Sequence, residues 1–222
     1  MKPIWLCLAV AATGLSIAPL MADPPTADAV LAELKAGNAH HAAKQYAHPH
    51  QTSTRQRELR SEQHPHAAVL SCADSRVPPE IVFDQGLGDL FCVRVAGNVA
   101  GDDELASLEY AAEHLEVPLI VVLGHQNCGA ITAALEGGDA PGHLPALMTA
   151  IAPALPLAKN LPGDRLANTV RANVEQTVRR VRDSQPVLAE RVAGGHLRVE
   201  GAVYSLDTGR VEWLSSSAAS SR

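Results

Sequence analysis

The sequence has no run of lysine and arginine, no glycine-rich nucleotide loop, no Cys-x-x-Cys pair and no internal repeat. Each absence closes a class of function. The 18 basic residues are scattered and outnumbered by 24 acidic ones, for a net charge of −6, so nucleic acid is not an expected partner. Without a nucleotide loop, oxidoreductase chemistry would have to borrow a cofactor that nothing here is shaped to hold. Without Cys-x-x-Cys there is no zinc knuckle. No second domain is visible in the 222 residues, which suffice for one α/β domain.

The first residues do not read as part of that domain. Lys2 gives a positive start, Ile4 to Leu20 is almost wholly apolar, and Ala22 precedes Asp23, the first acidic residue. The pattern is that of a secretory signal peptide over residues 1–22, cut after Ala22. The run is broken by Pro19 and is short for a membrane span, so no stable membrane anchor is expected after processing. Residues 23–222 then form the domain, exported and most naturally periplasmic in a Gram-negative bacterium. Loss of Lys2 leaves 17 basic residues against 24 acidic ones, and loss of Cys7 leaves Cys72, Cys92 and Cys128. In an oxidising compartment a Cys72–Cys128 disulfide with Cys92 buried is one reading of that odd count. It gives no account of what surrounds the two cysteines. His40, His41, His48 and His50 cluster in what reads as a polar, partly mobile arm, with adventitious metal capture the sharper alternative.

Periodicity predicts helices over Ala27–Lys44, Thr54–Gln63, Glu80–Phe83, Asp102–Leu115 (Asp102 as N-cap), Cys128–Leu135, Leu144–Ile151 and Asp164–Asp183. Strands are expected over Ala67–Leu70, Leu90–Val95 and Leu119–Leu123. A hairpin of Leu197–Tyr204 and Arg210–Leu214 turns at Asp207-Thr208-Gly209. The fold class is therefore α/β: a mostly parallel central sheet flanked by helices, with a C-terminal hairpin supplying an antiparallel edge strand.

Two motifs follow strand ends, where open α/β sheets place ligands: Cys72-Ala73-Asp74-Ser75-Arg76 and His125-Gln126-Asn127-Cys128. Two thiolates and an imidazole make a soft, tetrahedral-leaning donor set that suits Zn²⁺. The separation of Cys72 from Cys128 makes this a site formed only by folding. Three protein donors leave a fourth position, the layout of a catalytic zinc. Asp74 either fills that position as a fourth ligand or pairs with Arg76 and leaves it to a water that Asp74 orients. In the first state the site is closed, so a switch between the two predicts activity rising toward alkaline pH. Two thiolates offset the metal charge, so the bound water is expected to ionise above about pH 7. Gly124 and Gly129 flank the second motif and allow close backbone approach.

With these residues in view, the chain resembles the β-class carbonic anhydrases from about Ala27 to Leu214. The resemblance rests on Cys72-Ala-Asp74-Ser-Arg76, on His125-x-x-Cys128-Gly129, and on the segment from Phe83 to Asn98 between them. It implies one Zn²⁺ per chain on Cys72, His125 and Cys128, an Asp74–Arg76 catalytic dyad, and reversible hydration of CO2 to bicarbonate and a proton. It also implies a substrate pocket using Gln63, Phe91, Tyr110 and Gly129, partly supplied by a neighbouring subunit, hence a homodimer or a dimer of dimers. Some members carry a non-catalytic bicarbonate site built on a Trp, an Arg and a Tyr. Here the tryptophans are Trp5 and Trp213, so that regulation is not expected, and Ala96 stands where larger aliphatic residues line the pocket. The competing readings are the same fold acting on CS2 or COS, and a non-catalytic zinc- or bicarbonate-binding protein.

Overall fold

The computed structural model describes residues 25–214; the expected signal peptide and the tail from Ser215 lie outside them. Three apolar runs become parallel strands: β1 (Ala67–Ser71), β2 (Leu90–Arg94) and β3 (Leu119–His125). β4 (Arg198–Tyr204) and β5 (Val211–Trp213) complete a sheet of order β2-β1-β3-β4-β5, antiparallel only between β4 and β5. β1 and β3 are buried at every position, because both sheet faces are covered. Alternate residues serve the two sides. Val69, Val121 and Leu123 face the cluster that includes Leu34, Phe83 and Ile131. Leu70, Ile120 and Val122 face Leu108, Val181 and Leu188.

The helices are α1 (Ala27–Ala43), α2 (Ser53–Glu58), α3 (Pro79–Val82), α4 (Asp102–Glu113), α5 (Gly129–Glu136), α6 (Leu144–Ile151), α7 (Ala154–Ala158), α8 (Arg165–Arg182) and α9 (Val187–Ala193). Among the described residues, none is long and apolar enough to cross a membrane. α2 ends at Glu58, short of the expected Gln63. α4 is capped by Gly101, not Asp102: the Gly101 N–H donates to Glu104 Oε2 at 3.0 Å, and Asp102 is the first helical residue. α8 begins where Asp164 accepts from the Ala167 N–H at 2.6 Å, as a helix start of that type should.

α8 lies unusually close to the sheet. A side chain at Gly124 of β3 would come within 2.5 Å of Val174 Cγ2, and one at Gly201 of β4 within 3.0 Å of Val174 Cγ1. The two glycines form the floor on which Val174 sits, beside the end of β3 that carries His125.

The histidine-rich segment is not a loose arm. His41 is buried in the last turn of α1, its Nε2 2.8 Å from the Tyr204 hydroxyl. His50 Nδ1 lies 2.8 Å from Asp89, and His40 Nδ1 3.3 Å from Asp84. Both carboxylates are almost fully buried, and Asp84 also accepts the N–H groups of Ala47 at 2.7 Å and His48 at 3.1 Å. Sequence-local polarity suggests mobility, but two carboxylates distant in sequence pin the segment.

Burial raises the Asp84 carboxyl, yet the Ala47 and His48 amides and the His40 ring outweigh it, so it sits below the usual carboxylate range. A carboxyl lowered in the fold takes up its proton more readily in the unfolded chain. Its stabilisation is complete above the unfolded pKa near 4 and is lost as the pH falls below that value. Melting temperature is expected to drop as pH is lowered from about 5 to about 3. Asp84→Asn should show a shallower drop; equal slopes in the two proteins would remove Asp84 from the account.

Candidate metal centre

The strand order places the site. From β1 the chain leaves to β2 on one side, then returns across to β3 on the other, so the carboxyl ends of β1 and β3 diverge at a topological switch point. Cys72 directly follows β1, and His125 is the last residue of β3. Cys128 is the N-cap of α5, reached by a tight turn in which Asn127 adopts a left-handed φ of 54°. The ligand atoms of Cys72, His125 and Cys128 all lie within 4.8 Å of one another, and all three residues are buried.

Three observations fit this cluster to zinc. The two sulfurs are 3.9 Å apart and free, not joined in a disulfide bond. Two sulfurs each about 2.3 Å from a tetrahedral zinc would stand about 3.8 Å apart. His125 Nδ1 is 2.9 Å from the Gln126 carbonyl oxygen, to which it donates. That bond leaves the lone pair on Nε2, a buried atom with no hydrogen-bond partner of its own.

The thiols behave as one unit. The Cys128 S–H donates to Cys72, and with the Gly97 amide this pulls Cys72 down to about 4 against the opposing effect of burial. The same bond pushes Cys128 up, because ionising it would set two negative charges side by side in the interior. A divalent cation removes that repulsion.

Asp74 sits in the turn after Cys72, and Arg76 holds it at both oxygens. Arg76 Nε donates to Oδ1 at 2.9 Å and Nη2 to Oδ2 at 2.7 Å, while the Arg76 backbone N–H also reaches Oδ1 at 2.9 Å. This guanidinium keeps the Asp74 carboxyl well below the usual carboxylate range, against a smaller opposing effect of burial. Asp74 Oδ2 stands 3.7 Å from His125 Nε2, at the edge of the three-donor cluster and not within it. Arg76 Nη2 further donates to the Asn127 carbonyl at 3.3 Å, which ties the two motif loops together.

Other parts of the surround carry no sequence signal of their own. Arg94 donates from Nη2 to the Asp74 carbonyl at 2.7 Å and from Nε to the Cys72 carbonyl at 3.2 Å. Gln126 donates to Asp207 Oδ2 at 2.7 Å, which fastens the second motif to the hairpin turn. An arginine within a familiar segment and a glutamine inside a motif gave hints without roles.

Of the expected pocket residues, the chain brings Gly129 to its own metal cluster but not Phe91 or Tyr110. Gln63 is exposed beyond α2. Phe91 pairs with Ala68 in register, four residues back from Cys72, or roughly 13 Å along the strand. Its ring lies 6.1 Å from that of Tyr110, which is 46% exposed, and it packs on the opposite sheet face from Cys72. Gly129 opens α5 beside Cys128. Nothing stands within 4 Å of where its side chain would be, so Gly129 leaves open space there and serves no close approach.

Comparison with known proteins agrees along most of the chain. A family profile described as carbonic anhydrase matches residues 67–211. Carbonic anhydrase 2 of Mycobacterium tuberculosis is 42% identical over 181 residues, covering 80% of this chain and 87% of the relative. The carbonic anhydrase of Mycolicibacterium smegmatis is 42% identical over 183 residues, covering 81% and 89%. Among solved structures, a Coccomyxa β-carbonic anhydrase in complex with acetazolamide superposes with a TM-score of 0.67 at 30% identity, covering 83% of this chain and 84% of that one. A tetrameric β-carbonic anhydrase of Sordaria macrospora gives 0.67 at 25% identity, covering 85% and 98%. The family profile over most of the sheet, relatives 42% identical along most of their length and the matching fold agree: the chain belongs to the β-class carbonic anhydrases.

Proposed function

We propose that the protein holds one zinc ion per chain on Cys72, His125 and Cys128 and catalyses the reversible hydration of CO2 to bicarbonate and a proton. The observation that carries this is the buried, unpartnered Nε2 of His125 facing two sulfurs 3.9 Å apart. Zinc, when bound, supplies Lewis acidity and lowers the pKa of a water. The chain's own residues do the rest. Asp74 is an anionic acceptor at the rim of the site, held at both oxygens by Arg76. It accepts the hydrogen of a water entering there and so turns the water's lone pair toward CO2. Because Arg76 keeps it ionised, Asp74 orients that water and does not carry the proton away. The open face at Gly129 leaves room for a small substrate beside Cys128.

Zinc content measured with stopped-flow CO2 hydration tests the proposal. One zinc per chain with hydration faster than buffer is expected; a zinc-loaded protein no faster than buffer rejects it.

The separation of Phe91 and Tyr110 from their own metal cluster supports a second proposal, that they and the exposed Gln63 complete the site of a neighbouring subunit in a homodimer or dimer of dimers. β2, which carries Phe91, is the outer strand of the sheet. The relative from Sordaria macrospora is tetrameric. Export to the periplasm after removal of residues 1–22 is a third. Sedimentation of the purified protein and the mass of its first residue, taken from cell envelopes, test these two; a monomer or an intact Met1 would refute them.

A further inference from the structure

We propose that Asn173 of α8 is a positioning residue for the metal centre, holding Gly97 so that its N–H stays on the Cys72 sulfur. This rests on reading Cys72, His125 and Cys128 as the zinc site.

Asn173 is out of place by polarity. It is 1% exposed and sits between Val170 and Val174 on the inner face of α8. A buried amide is costly unless its groups are bonded. Here each is. Asn173 Nδ2 donates to the Gly97 carbonyl at 2.8 Å, and Asn173 Oδ1 accepts from Gln176 Nε2 at 3.0 Å. Gln176 Nε2 also lies 3.0 Å from the Ala150 carbonyl, so the brace behind Asn173 is itself anchored. The asparagine is therefore fixed in one orientation, with its donor aimed at a single backbone atom.

That atom belongs to the residue whose other backbone group touches the cluster. The Gly97 N–H donates to Cys72 Sγ at 3.3 Å. Gly97 lies in a 3₁₀ turn after β2 with φ of 75°, a conformation open to glycine, and a side chain there would meet Ile151 Cδ1 at 3.0 Å. The turn has one further tie from its own backbone, Asn98 N–H to the Val95 carbonyl at 3.0 Å. With Asn173 in place the glycine is gripped at its carbonyl, and its N–H cannot swing off the sulfur. An N–H bonded to a ligand thiolate fixes the sulfur's direction and draws charge from it, which tunes how strongly it holds a metal.

The variant is Asn173→Leu, which fills the space and removes the donor. Two readouts are taken on holoenzyme: the rate of zinc release into excess chelator, and the thiolate-to-cobalt charge-transfer band of the cobalt-substituted protein. Release is expected to quicken about ten- to hundredfold, and the band to move. Val181→Ala serves as control, since Val181 packs on the opposite sheet face from Cys72 and loosens α8 without touching Gly97. It should lower thermal stability and leave both readouts unchanged. Should Asn173→Leu fail to fold, Gln176→Ala, at a half-buried position, is expected to move both readouts in the same direction by a smaller factor. Release and band at wild-type values in the folded variant, or equal shifts in Val181→Ala, would overturn the inference. A wild-type chain that takes up neither metal would remove the zinc reading, and this inference with it.

Discussion

His125→Ala and Cys72→Ser chains are expected to purify without zinc and to hydrate CO2 at the buffer rate, a loss of at least about 10³-fold. The size of the effect follows from the donor count. In the proposed site three side chains at two strand ends would hold the metal, and the histidine has no second function: Nδ1 is spent on the Gln126 carbonyl, and Nε2 has no other partner. Cys72→Ser replaces a soft sulfur with a harder oxygen on a shorter bond, and the Gly97 amide loses the sulfur it now meets at 3.3 Å. Because His125 is fully buried, removing it also leaves a cavity, so folding must be checked by near-ultraviolet circular dichroism. A folded His125→Ala chain that keeps stoichiometric zinc and wild-type turnover would sink the metal assignment.

Asp74→Asn is expected to keep its zinc and lose about a hundredfold or more in kcat/KM. The substitution keeps the shape and takes away the charge, so the bidentate pair with Arg76 is lost and the rim acceptor is no longer fixed. Arg76→Leu should lose a similar factor by a different route. It releases an aspartate whose Oδ2 already stands 3.7 Å from His125 Nε2, and that freed carboxylate is expected to compete for the open position more strongly as pH falls. Activity in Arg76→Leu should therefore decline toward acid more steeply than in the wild type. If Asp74→Asn loses zinc together with activity, Asp74 is a fourth ligand and the dyad reading fails.

The parts of this protein that could be read from its residues are those in which one local pattern decides the outcome. The continuous apolar runs at Ala67 and Leu119 gave buried parallel strands because each is short and bounded by chain breakers, which suits a strand covered on both faces. The spacing of Val170, Val174 and Val181 gave α8. The three donors could be found because cysteine and histidine at strand ends have few other uses. What escaped depends on partners distant in sequence. α7 and α9 are short helices, one packed on α8 and the other preceded by Pro186, and neither has a periodic signal of its own. The histidine segment looked mobile because Asp84 and Asp89, which pin it, lie far along the chain. Nothing local marks Asn173 among the polar residues of a long helix. Its meaning lies in Gly97, 76 residues earlier.

The two sulfurs that meet between β1 and β3 set a race for every newly folded chain. Their gap of 3.9 Å is less than 2 Å wider than a covalent S–S bond. A chain that meets metal first has both sulfurs committed and closed to oxidants. A chain that met an oxidant first, and closed that gap into a bond, would have no thiolate left to offer an ion. On that reading, a reductant added before metal is expected to raise zinc uptake in chains purified in air, and one added after metal to change nothing.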